Sequence, residues 1–301
     1  MRRACVLAAA LLTLGCDREP KRPAGATASS VSARPLAAPT PPPPEPVVVE
    51  RATACRLLRV SGDVRAEGGA ALAERAVLDG ATWVTLGEKG RAVVVHARSG
   101  REITVVGPGR FLPCRGGAEQ FLVTEGKLES SAGTGVRPGA EVWIATPFGT
   151  LRYGDAALVA DVRERELRVE VARGALAAEL APGVRGFPAK GLSGPNARAV
   201  LTGKPDPAAL VEACAAAARE ASESATRLLA AKSGPPLGSE AARQLTLRRR
   251  ARSLCASADA SLARVDDPAV RSRLGDQLAL AEQRWQTISS SAIPGSPGSA
   301  R

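Results

Sequence analysis

Residues 82–106 read TWVTLGEKGRAVVVHARSGREITVV, and this stretch decides the fold of the first half of the chain. Three short runs rich in Val, Ile and Thr are separated by glycines. Runs of this kind, bounded by turn-forming residues, are typical of strands because branched side chains pack well on a pleated surface. The stretch therefore predicts three strands, at 82–86, 92–96 and 102–106.

The same pattern continues on both sides of this stretch. Gly107-Pro108-Gly109 predicts a turn directly after the third strand. Further strands are predicted at 56–60, 121–123, 141–145, 157–162 and 167–171. About eight short strands at this spacing indicate one all-β domain, a sandwich, a barrel or a short solenoid, which we place at 51–203.

After residue 203 the composition changes to alanine, arginine and glutamate, which favour helices. Asp206-Pro207, Ser239-Glu240 and Asp267-Pro268 indicate three helix starts, since Asp and Ser cap helices and Pro fits the first turn. Apolar residues then recur at spacings of three and four, which predicts packing seams. The seams comprise Val211, Cys214, Ala218, Ala221, Ala225 and Leu228, then Leu245, Ala251, Cys255, Ala258, Leu262 and Val265, then Val270, Leu274, Leu278, Ala281, Trp285 and Ile288.

The helical domain is expected to cover residues 204–288 as a hairpin plus a third helix. Residues 233–238 read SGPPLG and separate the first two helices, which must therefore fold back on each other. The expected fold class is multi-domain α+β in separate modules, an all-β domain followed by an antiparallel three-helix domain. Residues 289–301 are rich in Ser, Gly and Pro and predict a disordered tail.

Two disulfides are predicted from the cysteines of these domains. Cys214 and Cys255 lie about 20 residues on either side of Gly234-Pro235, and each lies on a helix seam. Folding the hairpin brings both to the same level, which predicts a bond between them. Cys55 and Cys114 remain for a second bond in the β domain. The alternative is that all four are buried free thiols.

The amino-terminal residues predict export. Met1-Arg2-Arg3 precedes an apolar run that is shorter than the roughly 20 residues of a membrane span. Thr13-Leu14-Gly15-Cys16 resembles the lipobox of bacterial lipoproteins, in which the cysteine thiol carries a diacylglyceryl group. The resemblance implies a signal peptide at 1–15, lipidation of Cys16 and a position on the periplasmic side of the inner or the outer membrane. The alternative is an ordinary secreted protein.

Residues 16–50 are expected to form a tether between the lipid and the folded domains. The segment is rich in Pro and Ala and contains four consecutive prolines at 41–44. It offers too little apolar periodicity to bury a core, so it predicts a disordered, partly extended linker.

The chain is basic, with a formal net charge of +11. Arg248, Arg249, Arg250 and Arg252 form its one dense run of basic residues, which suits the phosphates of lipid headgroups, lipopolysaccharide or nucleic acid. Such a run is also typical of the solvated face of a helix. Export and an aromatic content of 3% argue against nucleic-acid binding, which needs stacking platforms.

The sequence carries no convincing catalytic motif. The single histidine, His96, ends an apolar run, which favours a structural role over catalysis. Asp161, Glu164 and Glu166 alternate with arginines, which indicates a solvated hairpin more than an acid-base pair. Neither a metal site nor a cofactor is expected, because the ligand clusters and glycine-rich loops that they need are not found.

Several segments of the β domain together resemble a FecR domain. They are VLDGATWVTL at 77–86, GRAVVV at 90–95, GPGRF at 107–111, VTEGKL at 123–128, EVWIATPFG at 141–149 and LRVEVARGAL at 167–176. The resemblance implies an extracytoplasmic, non-enzymatic β module that serves as a binding or assembly platform, and it names no catalytic residue.

The expected function is therefore a binding or scaffold role in the cell envelope, with the membrane contacted through the lipid anchor. The expected partner is an envelope protein. One alternative is a basic protein that binds anionic wall polymer or lipopolysaccharide through Arg248–Arg252. A hydrolase of unrecognised type is the second alternative.

Overall fold

The computed structural model describes residues 55–78, 80–95, 99–115, 120–131, 140–230 and 237–290, and all of them belong to one compact unit. The strands are β1 Cys55–Ser61, β2 Val64–Ala66, β3 Val77–Leu78, β4 Val84–Leu86, β5 Arg91–Val95, β6 Glu102–Arg115, β7 Gln120–Ser131, β8 Val142–Thr146, β9 Gly149–Tyr153, β10 Ala157–Val162, β11 Glu166–Arg173, β12 Ala175–Leu180, β13 Leu192–Ser193 and β14 Ala197–Thr202. The helices are α1 Pro207–Ala230, α2 Leu237–Leu262 and α3 Pro268–Ser290. The predicted order, a β part followed by a helical part, is confirmed.

A long antiparallel ribbon of β6 and β7 organises the sheet. At one end of the ribbon β6 pairs with β5, and β7 pairs with β10. At the other end β6 pairs with β4, and β7 pairs in parallel with β8. The remaining strands extend these branches as β5-β1-β3, β10-β11-β14, β4-β2 and β8-β9-β12-β13. Each of the eight predicted strands overlaps an observed one.

The turn predicted at Gly107-Pro108-Gly109 is wrong, because these residues lie inside β6. The β6–β7 register shifts between Val106 and Arg110, which is the point where β6 exchanges β5 for β4 as its partner. A Cβ at Gly109 would lie 2.6 Å from the Glu125 carbonyl oxygen, so the two backbones can approach this closely only at glycine. The glycines thus bend a continuous strand.

The helix starts behave as the local sequence predicts. Asp206 accepts a hydrogen bond at Oδ1 from the backbone N–H of Ala208, at 3.0 Å. Asp267 accepts bonds from the N–H groups of Ala269 and Val270, at 2.8 and 3.2 Å. Both aspartates are therefore N-caps. The start of α2 is the exception, since the helix begins at Leu237, two residues before the expected Ser239.

Two antiparallel helices, α1 and α2, form the predicted hairpin. The seam of α1 is buried from Val211 to Ala221, and that of α2 from Ala251 to Leu262. Leu245 was expected in the α2 seam but is 53% exposed. Gln244 takes that place, and its Nε2 donates a hydrogen bond to the Ala221 carbonyl at 3.0 Å.

The sheet and the helices share one hydrophobic core, which the expectation of separate modules did not foresee. Inward-facing residues of all four branches of the sheet and of all three helices belong to a single cluster. Leu112, Leu122 and Ala145 of the sheet also contact Ala256 and Ala260 of α2. Of the three helices, α2 makes the main contact with the strands. The physical reason is that α2 is apolar on two sides, one toward α1 and α3 and one toward the sheet.

Candidate functional site

The two disulfides form as predicted, one in each part of the structure. Cys55 of β1 is bonded to Cys114 of β6, with Cα atoms 5.9 Å apart. Cys214 of α1 is bonded to Cys255 of α2, with Cα atoms 4.8 Å apart. All four residues are at most 1% exposed, so both bonds lie within the core.

The four arginines of the predicted patch on α2 lie in different surroundings. The guanidinium of Arg252 lies over the Trp143 ring, 4.6 Å from its centroid, in the geometry of a cation–π contact. Arg250 approaches Glu179 of β12, with Nε 3.4 Å from the carboxylate. These two side chains therefore fix α2 to the sheet.

The other two arginines of this run face other directions, because successive helix residues point about 100° apart. Arg249 is exposed. Arg248 is half-buried, and its burial lowers the pKa of the guanidinium, which stays charged at neutral pH. The four residues thus do not form one uniform surface, and polymer binding through them stays a prediction.

A partly buried ion cluster joins the sheet to two helices. Arg115 of β6 contacts the carboxylate of Asp259 in α2, and its Nη1 lies 2.6 Å from Glu282 in α3. Burial lowers the pKa of Arg115, but the charges and hydrogen bonds of Asp259 and Glu282 raise it by more. A charge compensated in this way holds the three elements at a defined distance.

The charged residues of the β10–β11 hairpin pair with each other. Arg163 lies 2.7 Å from Asp161, and Arg168 lies 2.8 Å from Glu166. The hydrogen bond and the charge of Asp161 raise the pKa of Arg163, which is fully exposed. These carboxylates contact arginines on the surface, an arrangement that matches the alternating charge of the sequence.

A cleft of about 720 Å³ opens where the hairpin meets the helices. It is lined by residues of four separate segments: Pro147, Glu164, Arg165, Gly203, Lys204, Pro205, Pro207, Ser261, Arg264 and Val265. The sequence pattern places Arg165 in a charged hairpin, but it does not point to Lys204 or Arg264. No sequence signal could have joined them, because they lie far apart along the chain and converge only through packing.

Other predicted features lie outside the described residues. These are the signal at 1–15, Cys16, the tether to residue 50, His96 and most of the tail predicted at 289–301. Residues 289 and 290 belong to α3, so the tail prediction is wrong for these two residues. Within the ranges that the structure describes, no three His, Cys, Asp or Glu side chains come together as a metal site would require.

None of the described helices has the length and hydropathy of a membrane span.

No protein-family model matches the sequence, and no curated protein matches it significantly.

Proposed function

We propose that this protein is a lipid-anchored, extracytoplasmic binding module of the bacterial cell envelope, and that it is not an enzyme. In this proposal Cys16 carries the lipid and residues 16–50 form the tether. A FecR-like β part and the three helices together present a surface to another envelope protein.

The disulfides are the observation that carries this proposal. Each bond is buried in the core, where the fold has aligned the two cysteines for it. Disulfides form and persist in oxidising compartments outside the cytoplasm, where thioredoxin and glutathione do not keep thiols reduced. The two remaining cysteines, Cys5 and Cys16, precede the described residues, and the second lies where a lipid would be attached.

Lipidation is tested by metabolic labelling of cells with a palmitate analogue. The Cys16→Ser variant is expected to lose label and membrane retention, because no other thiol follows a lipobox-like sequence. Cys5→Ser is the matched control and should label like the parent chain. Persistent labelling of the Cys16 variant would refute the anchor.

The compartment is tested separately by thiol titration of the unfolded protein. Without reductant, Cys55, Cys114, Cys214 and Cys255 should give no titratable thiol, and reduction should release all four. If all four are free in protein taken from the envelope, the extracytoplasmic proposal loses its main support.

The binding role is tested by crosslinking in cells followed by affinity purification under denaturing conditions. We expect the parent chain to recover one envelope protein. The Cys16→Ser variant should fail to recover it, because the variant loses its position at the membrane. Recovery of wall polymer or lipopolysaccharide alone would favour the polymer-binding alternative. That alternative also predicts binding that weakens steeply with ionic strength and with Arg249→Gln.

A further inference from the structure

The cleft between the β10–β11 hairpin and the helices concentrates positive charge. Arg165 lies on the hairpin, Lys204 lies on the segment between β14 and α1, and Arg264 follows the end of α2. Glu164 is the one carboxylate among the lining residues. Three cations against one anion leave an excess of positive charge at this place.

Arg264 is the most firmly held of the three cations. Its guanidinium donates hydrogen bonds to the backbone carbonyls of Arg163, at 3.1 Å, Glu164, at 3.4 Å, and Thr124. Three of its five N–H donors are used in this way, so two remain without an acceptor in the described part of the protein. The side chain is preorganised by the backbone, and its spare donors can serve a ligand.

No anion compensates the charge of Arg264 directly. Carbonyl oxygens accept its hydrogen bonds and the Phe148 ring centroid lies 5.9 Å from its guanidinium carbon, but no carboxylate contacts it within the described ranges. Burial lowers the pKa of Arg264, against the more distant charges of Glu125 and Glu164, which raise it. A partly buried cation without a contacting anion is stabilised when an anion binds beside it.

Arg165 and Lys204 add exposed positive charge to the cleft. Both side chains are exposed, and neither makes an ion pair or a hydrogen bond to another described residue. An exposed cation without a partner gives up little interaction energy when it turns toward a ligand. Together with Arg264 they can contact an oxyanion from three directions.

The cleft is larger than a bare anion and has apolar walls. Pro147, Pro205, Pro207 and Val265 lie among the cations. A volume of about 720 Å³ is within the range of small-molecule sites. The geometry therefore suits an anionic group attached to an organic body.

We propose that this cleft binds the phosphate group of a small phosphoester. Guanidinium and ammonium groups are the donors that proteins use for phosphate, and a forked guanidinium matches its oxygens. The phosphate contacts Arg264, Arg165 and Lys204, and the organic part lies against the prolines. The inference goes beyond the proposed envelope role and does not depend on the lipid anchor.

The test is calorimetric titration of the full-length protein with defined probes. Phenyl phosphate represents a soluble phosphomonoester, and glycerophosphoglycerol represents the phosphodiester of a lipid headgroup. Benzoate is the carboxylate counterpart. Binding of either phosphate more tightly than benzoate supports the proposal, and the tighter of the two identifies the source. Absence of phosphate binding at millimolar concentration, or equal binding of benzoate, overturns it.

Two double variants locate the site. The double variant Arg165→Gln with Lys204→Gln is expected to raise the Kd of the tighter-binding phosphate probe about tenfold, because two charge contacts are lost. Arg219→Gln with Arg227→Gln removes the same charge from exposed positions of α1 and should change the affinity less than twofold. Equal weakening by both variants would show a general charge effect and refute the site. All four side chains are exposed, so the fold should persist, which matching thermal midpoints would verify.

Discussion

Tyr153, the only tyrosine of the chain, has its hydroxyl in the core. The hydroxyl donates a hydrogen bond to Ser130 Oγ at 2.6 Å, and the guanidinium of Arg101 lies 5.5 Å from the ring centroid. Arg101 is itself 1% exposed and donates to the backbone carbonyls of Gly154 and Ala156. At the scale of single residues, the Tyr153 hydroxyl and the two terminal nitrogens of Arg101 are tolerated in the β core because each of them has a hydrogen-bond acceptor.

Burial raises the pKa of Tyr153 from 10.0 to about 12, against the lowering effects of Ser130 and Arg101. The unfolded chain therefore loses the phenol proton first, so the associated stability is complete below pH 10 and declines as pH rises toward 12. We expect roughly 2 kcal/mol of the unfolding free energy to be lost in this window through Tyr153 alone.

Tyr153→Phe separates this effect from other titrations at high pH. At neutral pH the variant should be less stable by about 1 kcal/mol, because the bond to Ser130 is lost. By pH 12 this difference in unfolding free energy should vanish or change sign, because only the parent protein loses stability through Tyr153. Phenolate absorbance reports ionisation of Tyr153 directly, and a midpoint near pH 10 in the folded protein would contradict the prediction.

At the scale of elements, α2 packs on two sides at once, against the other helices and against the sheet. One side packs against α1 and α3, and the side toward the sheet buries Ala256, Ala260 and three serines. Thr150 of β9 donates to the Ser253 carbonyl and lies 2.8 Å from Ser257 Oγ. Small residues line this side because the helix backbone approaches the strands closely. The helix therefore shows weak amphipathicity although it is firmly packed.

Ala256→Leu should destabilise the protein by about 2 kcal/mol, because a well-packed contact with the sheet has no room for three further carbon atoms. Ala242→Leu is the matched control, as it makes the same change at an exposed position of the same helix. It should alter the unfolding free energy by less than about 0.5 kcal/mol. Urea denaturation measures both, and equal effects would mean that α2 does not pack tightly on the sheet.

At the scale of the whole molecule, the sheet and the helices are held as one body. They share the main hydrophobic cluster, and Arg115 joins β6 to carboxylates of α2 and α3. Removing the helices would expose Leu112 and Leu122 of the sheet. Neither part has a core independent of the other, although they occupy separate halves of the sequence.

We therefore expect the β part and the helical part to unfold in one transition. In a Trp285→Phe background, the two remaining tryptophans, Trp83 and Trp143, both report on the β part by fluorescence. Far-ultraviolet circular dichroism reports mainly on the helices. Coincident midpoints in urea are predicted for two-state unfolding. Loss of helical signal at clearly lower urea would contradict a shared core.

Much of the local structure follows from the sequence because its causes are local. Asp206 and Asp267 cap helices through bonds to residues two or three positions away. The Cys214–Cys255 bond follows from the length of two helices on either side of a break. Strands rich in β-branched residues were predicted as well. The other six strands were missed, since an alanine-rich or short segment becomes a strand mainly through its neighbours; they are β2, β3, β9, β12, β13 and β14.

The remaining features were decided only by tertiary structure. Gln244 could not be recognised as a seam residue until the Ala221 carbonyl was opposite it. The bend at Gly107–Gly109 looked like a turn because a strand that changes partner has no local signature. The cleft depends on four distant segments, and Arg264 becomes a binding group only because three backbone carbonyls orient it. The sequence by itself thus determined most of the elements and both disulfides, because their causes are mainly local, whereas the short strands, the shared core and the cleft arose from packing over long separations.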